Sequence, residues 1–345
     1  MTLANAVLAV MWVGVTFYAL LGGADFGAGF WDLFAGGAAR GRPQRELIEH
    51  AIGPVWEANH VWLIFALVVL WTGFSPAFAA VMSTLYIPLT LAAFGVIMRG
   101  SAFAFRKAVQ EVWLKRIFGA SFAASSVVTP FFLGAVAGGV ATGRVPPGNA
   151  QGDVITSWVN PTSLLGGTLA VGVCAYLAAV YLIRDAERSH HPELVEWFRI
   201  RALGTGVVLG LVALGGIAVL RADAPRLFDG LTGRALPLVL ASAVFGAVSL
   251  VLLARRRFVA VRATAALAVV AIIWGWGAGQ YPYLLDPYLT IDQAAASSSV
   301  LSATLISLGF GSLLLVPSMT LLFVIFQREH RAELEAAAKA TEQVP

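Results

Sequence analysis

The chain has 345 residues, 59% of them hydrophobic and only 12% charged, with a net charge of +4 and a mean hydropathy of +0.80. Soluble domains carry about 25% charged residues. The composition therefore excludes a water-soluble globular enzyme and points to a polytopic membrane protein. The positive balance is not a nucleic-acid signature, because the basic residues fall in short clusters between apolar runs, as in loops facing an anionic leaflet.

About 20 apolar residues cross a bilayer as a helix, and that ruler predicts nine spans. The first covers 4–25, with a continuation toward 35. No Lys or Arg precedes it and it is far longer than a signal h-region, so no cleavable signal peptide is expected. In it, Gly23 and Gly27 are four apart, as are Ala24 and Ala28, a spacing that lets helices approach closely. Asp25 and Gly29 share this crowded side. A carboxylate at such depth is costly unless paired, hydrated or protonated. Asp25 therefore reads either as a hydrogen-bonding group between helices or as a proton-carrying one. Asp32, on the same face, is expected at headgroup level or at a helix end.

The second span, 54–74, is the weakest by hydropathy because Glu57, Asn59 and His60 interrupt its start. Trp56, Asn59, His60 and Leu63 share one helical face, with Glu57 on the adjoining flank. An acid, an imidazole and an amide can relay a proton or hold water; the alternative is a self-satisfied polar cluster. A tight turn at 72–76, closed by Pro76, leads into a third span at 77–98. The fourth covers 117–140. The fifth, 162–183, contains the chain's single cysteine, Cys174, which excludes an internal disulfide and a thiolate metal site. The remaining spans are 203–220, 235–254, 263–285 and 300–326. Gln280-Tyr281-Pro282-Tyr283 and Leu315-Val316-Pro317-Ser318 can bend the last two.

The runs are continuous rather than alternating and too long for barrel strands. The expected fold is thus all-α, with about nine transmembrane helices arranged as two four-helix units plus one. A transmembrane domain at 1–326 is followed by a charged, alanine-rich tail at 327–345. Of the 23 basic residues, 19 fall in one alternate set of loops and the tail. The opposite side keeps only Arg144, Arg221, Arg226 and Arg234. The positive-inside rule then places the N-terminus outside and the C-terminus in the cytoplasm. Helix direction brings Asp25, late in a descending helix, and Glu57, early in a rising one, to the same cytoplasmic side.

Of the five histidines only His60 lies in a span. His190-His191 precede a proline in a loop, and no metal- or haem-ligand spacing occurs within the membrane.

Four segments resemble subunit II of the bacterial cytochrome bd quinol oxidases. They are Gly22-Gly23-Ala24-Asp25-Phe26-Gly27-Ala28-Gly29, Gly53-Pro54-Val55-Trp56-Glu57-Ala58-Asn59-His60-Val61-Trp62-Leu63, Arg99-Gly100-Ser101-Ala102-Phe103-Ala104-Phe105-Arg106 and Gly275-Trp276-Gly277-Ala278-Gly279-Gln280-Tyr281-Pro282-Tyr283-Leu284. The resemblance covers nearly the whole chain. It implies a multi-pass subunit in the bacterial cytoplasmic membrane, paired with a larger subunit I that holds haem b, haem d and the quinol-oxidising loop. It also allows a small accessory membrane subunit. The complex it implies oxidises quinol and reduces oxygen to water, taking protons from the cytoplasm. Subunit II then supplies scaffold and acidic residues of a hydrophilic path. By motif these are Asp25 and Glu57, with Asn59 and His60 beside them. The family often carries an acid in the third motif where this chain has Ala104. Two other readings compete. A secondary transporter also uses buried carboxylates, and a purely structural scaffold would need none of their chemistry.

Overall fold

A computed structural model describes residues 2–37, 39–52, 56–109 and 111–342. Gly53-Pro54-Val55 of the second motif lie outside the described residues, as do the side chains of Trp56 and Arg106. Among the described residues eight helices are long and apolar enough to cross a membrane, or nine if one helix pair bent by 120° is counted as a span.

Thr2 caps the chain's first helix by accepting from Asn5 N at 3.3 Å. That helix, α1 (Leu3–Phe17), passes through a π-helical turn (Tyr18–Gly22) into α2 (Gly23–Phe34), giving one span of 32 residues. Single π-turns inside α-helices concentrate at functional sites. The charged α3 (Arg42–Ile52) follows. Asp32, buried in the last turn of α2, binds Arg45 Nε at 2.6 Å, and Arg45 also donates to Gly36 O at 2.6 Å. Asp32 thus has the helix-end position expected for it.

The third span departs from expectation. After α4 (Trp56–Gly73) the chain bends by 120° into α5 (Ser75–Thr84) and breaks again at Leu85 before α6 (Tyr86–Ala108). Residues 77–84 are therefore not part of the third crossing helix. The cause is Pro88, whose ring would meet the carbonyl of Thr84 in a continuous helix. Pro76, expected to stop the second span, sits in the first turn of α5 and helps to start it.

The rest of the chain forms α7 (Val112–Ala141), α8 (Pro161–Arg188), α9 (Pro192–Asp223), α10 (Pro225–Thr232), α11 (Leu236–Ala254) and α12 (Phe258–Gln280). Asn160 caps α8 by accepting from Ser163 N at 2.8 Å, with Pro161 in the first turn. The eighth span was expected to reach 285 but ends at Gln280. Tyr281 precedes a proline and is held extended (φ −52°, ψ 139°). A two-stranded antiparallel hairpin, β1 (Tyr283–Leu285) and β2 (Leu289–Thr290), follows, then α13 (Ile291–Ala294) and α14 (Ser298–Glu342).

Helix α8 is the centre of the fold and packs on α7, α9, α2 and α12. Small residues make this possible: Ala175, Ala178, Ala179 and Ala186 are all at most 1% exposed. Trp31 Nε1 of α2 donates to Ala175 O at 2.8 Å. A Cβ on Gly27 would run into the Cys174 carbonyl, so α2 and α8 touch backbone to backbone there. By contrast α14 rests on α1 and α4 and leaves Phe310, Leu313 and Leu314 exposed.

At one end of the bundle Asp223 accepts from Arg144 Nη2 at 2.6 Å and from Thr162 Oγ1 at 2.7 Å, tying the loop after α7 to the ends of α8 and α9. Asp286, in the hairpin, is buried, and its nearest cation, Arg226, stands 3.9 Å away. Burial pushes the Asp286 carboxyl above the usual aspartate value, and Arg226 only partly opposes this. Its stabilising contribution is complete below the ordinary aspartate pKa and is lost as pH rises through the raised value. Asp286→Asn, neutral at every pH, should therefore raise the thermal midpoint at about pH 7, with the gain shrinking as pH falls toward about 4. Thermal unfolding of the purified protein across that range checks this.

Candidate functional site: a buried ionic cluster

Asp25 lies in the first turn of α2, directly after the π-turn, and is 7% exposed. Its Oδ2 accepts from Asn59 Nδ2 at 2.6 Å. The first two motifs, 34 residues apart in sequence, are thereby joined by one buried hydrogen bond. Asn59, 3% exposed, turns inward from α4.

The cation of the cluster is Arg99 of α6, only 1% exposed. Its Nη2 donates to the Asp25 carbonyl at 2.6 Å, and its Nη1 donates to Ser126 Oγ of α7. Its guanidinium lies 4.4 Å from the Phe122 ring centre and 5.0 Å from that of Phe26. Each ring adds cation–π attraction in a medium that cannot hydrate the charge. The room for it comes from Gly29, where a Cβ would crowd Ser126 and lie 2.9 Å from Arg99 Nη1. Arg99 thus meets Asp25 through the main-chain carbonyl, and its charge lies near enough to attract the Asp25 carboxylate.

His60 joins the edge of the same cluster. Its ring centre lies 5.8 Å from that of Phe26 and 6.0 Å from that of Tyr18. Two buried polar atoms here, Asn59 Oδ1 and Tyr18 Oη, have no hydrogen-bond partner among the described residues. Buried polar atoms of this kind are ordinarily met by water. Glu57 has a different position: it is exposed on the outer side of α4, two residues before Asn59 and so on nearly the opposite face. The two carboxylates thus stand on opposite sides of one helix.

Of the residues singled out from sequence, Asp25, Asn59 and His60 are brought together. Arg99 stood out there only as the first residue of the third motif. Ser126, Phe122 and Tyr18 were missed. The one signal for Ser126 is the interruption of the fourth apolar run by Ser125-Ser126 and Thr129.

Among the described residues no three His, Cys, Asp or Glu side chains form a ligand set. His60, in the span, is flanked by two aromatic rings.

A family model described as "Cytochrome bd terminal oxidase subunit II" matches residues 3–326. The chain belongs to the cytochrome bd terminal oxidase subunit II family. It is 29% identical over 170 residues to cytochrome bd ubiquinol oxidase subunit 2 of Bacillus subtilis, covering 48% of each chain. It is 27% identical over 210 residues to the cytochrome bd-I ubiquinol oxidase subunit 2 of Escherichia coli K12, covering 59% of this chain and 53% of that one. In these two alignments the chain spans about half the length of the curated relatives it matches. The solved structure of bd oxidase from Geobacillus thermodenitrificans superposes with a TM-score of 0.75 at 26% identity, covering 94% of this chain and 99% of that one. Like its family, this subunit II is a multi-pass protein of the bacterial cytoplasmic membrane.

Proposed function

We propose that the chain works as subunit II of a quinol:oxygen oxidoreductase, beside a larger subunit I that carries haem b and haem d and oxidises quinol. A small accessory membrane subunit fits the same assembly. The N-terminus is outside, and the tail at 327–345 lies in the cytoplasm. In this reading the chain contributes a scaffold and a hydrophilic proton path. The Asp25–Asn59 hydrogen bond carries the argument, because it joins two intramembrane polar motifs at one depth.

The geometry supports such a path. Glu57 faces away from this chain's interior and so toward a covering partner, since a lipid-facing carboxylate would go uncompensated. Asn59, on the inner side of α4, holds Asp25. A proton reaching Asp25 could cross beside His60 to Glu57 through water held at Asn59 Oδ1 and Tyr18 Oη. Arg99 remains a fixed cation throughout, since a guanidinium does not give up its proton in proteins. It keeps the ionised state of Asp25 accessible without acting as a carrier. When bound in the partner, the haems would supply the oxygen chemistry; the residues of this chain only deliver and hold protons.

Glu57→Gln and Asp25→Asn, made in the assembled complex, should each slow oxygen reduction by about 100-fold, the low end of the usual contribution of a positioned proton-transfer group. The haem absorption bands should be unchanged. Oxygen consumption and visible spectra on the same sample check this. Wild-type turnover with intact bands would refute the path and leave a structural scaffold. Loss of the bands would assign the residues to assembly instead.

A further inference from the structure

At the end of the bundle where α8 and α11 finish and α9 and α12 begin, charge is unbalanced. Residues 184–201 and 254–262 together hold eight arginines and four acids, and 254–262 holds no acid at all. Glu196 is shared between Arg199 at 2.8 Å and Arg256 at 2.9 Å. Arg255 and Arg257 have no acidic partner among the described residues. The other end differs, because Arg144 is neutralised by Asp223.

Two of these arginines are held in a distinct way. Arg201 lies flat on Trp197, its guanidinium 3.3 Å from the ring centre, with Nη1 donating to Trp197 O at 3.0 Å. Arg262 lies 4.9 Å from the ring centre of Tyr181. Each stands directly before a long uncharged, mostly apolar run, 202–220 or 263–280. A guanidinium stacked on an aromatic ring keeps its planar fork of N–H donors available at the edge. Next to each platform the surface is bare hydrocarbon. Val208, two turns above Arg201, is 59% exposed, and a Cβ on Gly204 between them would meet nothing within 4 Å. Leu267 and Ile272, deeper along α12 than Arg262, are 44% and 38% exposed.

We infer that the Trp197–Arg201 and Tyr181–Arg262 platforms are seats for the phosphate groups of acidic phospholipids, whose acyl chains lie along the adjoining exposed faces of α9 and α12. The pairing of a fixed guanidinium with apolar surface selects an amphiphile over a free anion. The guanidinium forks bind phosphate oxygens in the plane. Arg255 and Arg257, which have no acidic partner among the described residues, favour a net negative headgroup over a zwitterionic one.

The test uses the whole assembled complex, delipidated in neutral detergent and titrated with vesicles of either phosphatidylglycerol or phosphatidylcholine. Native mass spectrometry counts retained lipids. The complex should retain phosphatidylglycerol in preference to phosphatidylcholine. Arg201→Gln and Arg262→Gln should each weaken that retention about five-fold, the effect of one basic residue at a membrane surface. Arg201→Lys, which keeps the charge and loses the fork, should fall between. Equal retention of the two lipids by the unaltered complex would overturn the proposal, and this arm needs no variant to fold. So would unchanged retention in the double variant, or displacement of the lipid by millimolar inorganic phosphate, which would make this a soluble-anion site.

Discussion

Arg99→Leu should cost the assembled protein a large share of its stability. The guanidinium is 1% exposed and bonded to Asp25 O and Ser126, with the Phe26 and Phe122 rings beside it. Removing it leaves the Asp25 carboxyl in a low-dielectric interior with only Asn59. Breaking one side of a buried charge pair costs about 3–5 kcal/mol, against a total folding stability of about 5–15 kcal/mol. The double variant Asp25→Leu/Arg99→Leu should recover part of the loss, because it leaves no unpaired charge. Thermal unfolding and yield of the purified complex measure both. A single variant as stable as the double would show that the two charges are not coupled.

The second large effect is steric. Gly27→Val places a branched side chain where α2 meets the backbone of α8 at Cys174. A side chain there can turn away only if the helices part, and parting them disturbs the Trp31–Ala175 bond and the alanine face of α8. Overpacking typically costs about 1–3 kcal/mol. The upper end is expected, because the obstacle is main chain rather than a rotatable group. Gly204→Ala, on the open face of α9, is the control and should leave the thermal midpoint unchanged. An equal fall in both variants would point to handling rather than to the α2–α8 contact, since alanine is a better helix former than glycine.

The membrane class and the number of spans were legible along the chain, because a helix crossing hydrocarbon needs about 20 apolar residues wherever it sits. Boundaries were legible only where local chemistry marks them. The break at Leu85 follows from Pro88 acting four residues back on Thr84. The end of α12 at Gln280 follows from Pro282 acting on Tyr281. Read as hydropathy alone, both segments looked like uninterrupted spans. The four motifs carried the family, and Asp25 and Glu57 were conspicuous because charge is rare at that depth.

Composition and order thus determined that this is a multi-span helical membrane protein of the bd oxidase subunit II family with two costly carboxylates. Only the tertiary structure decided which groups meet. Asp25 holds Asn59 and has Arg99 as its cation, while Glu57 looks outward from the far side of α4. The physical reason is the difference between depth and rotation. Depth is a local property, set residue by residue against the thickness of the bilayer. The rotation of each helix about its axis is set by its neighbours: by Gly27 against Cys174, and by Gly29 making room for a guanidinium from a helix 70 residues further along the chain.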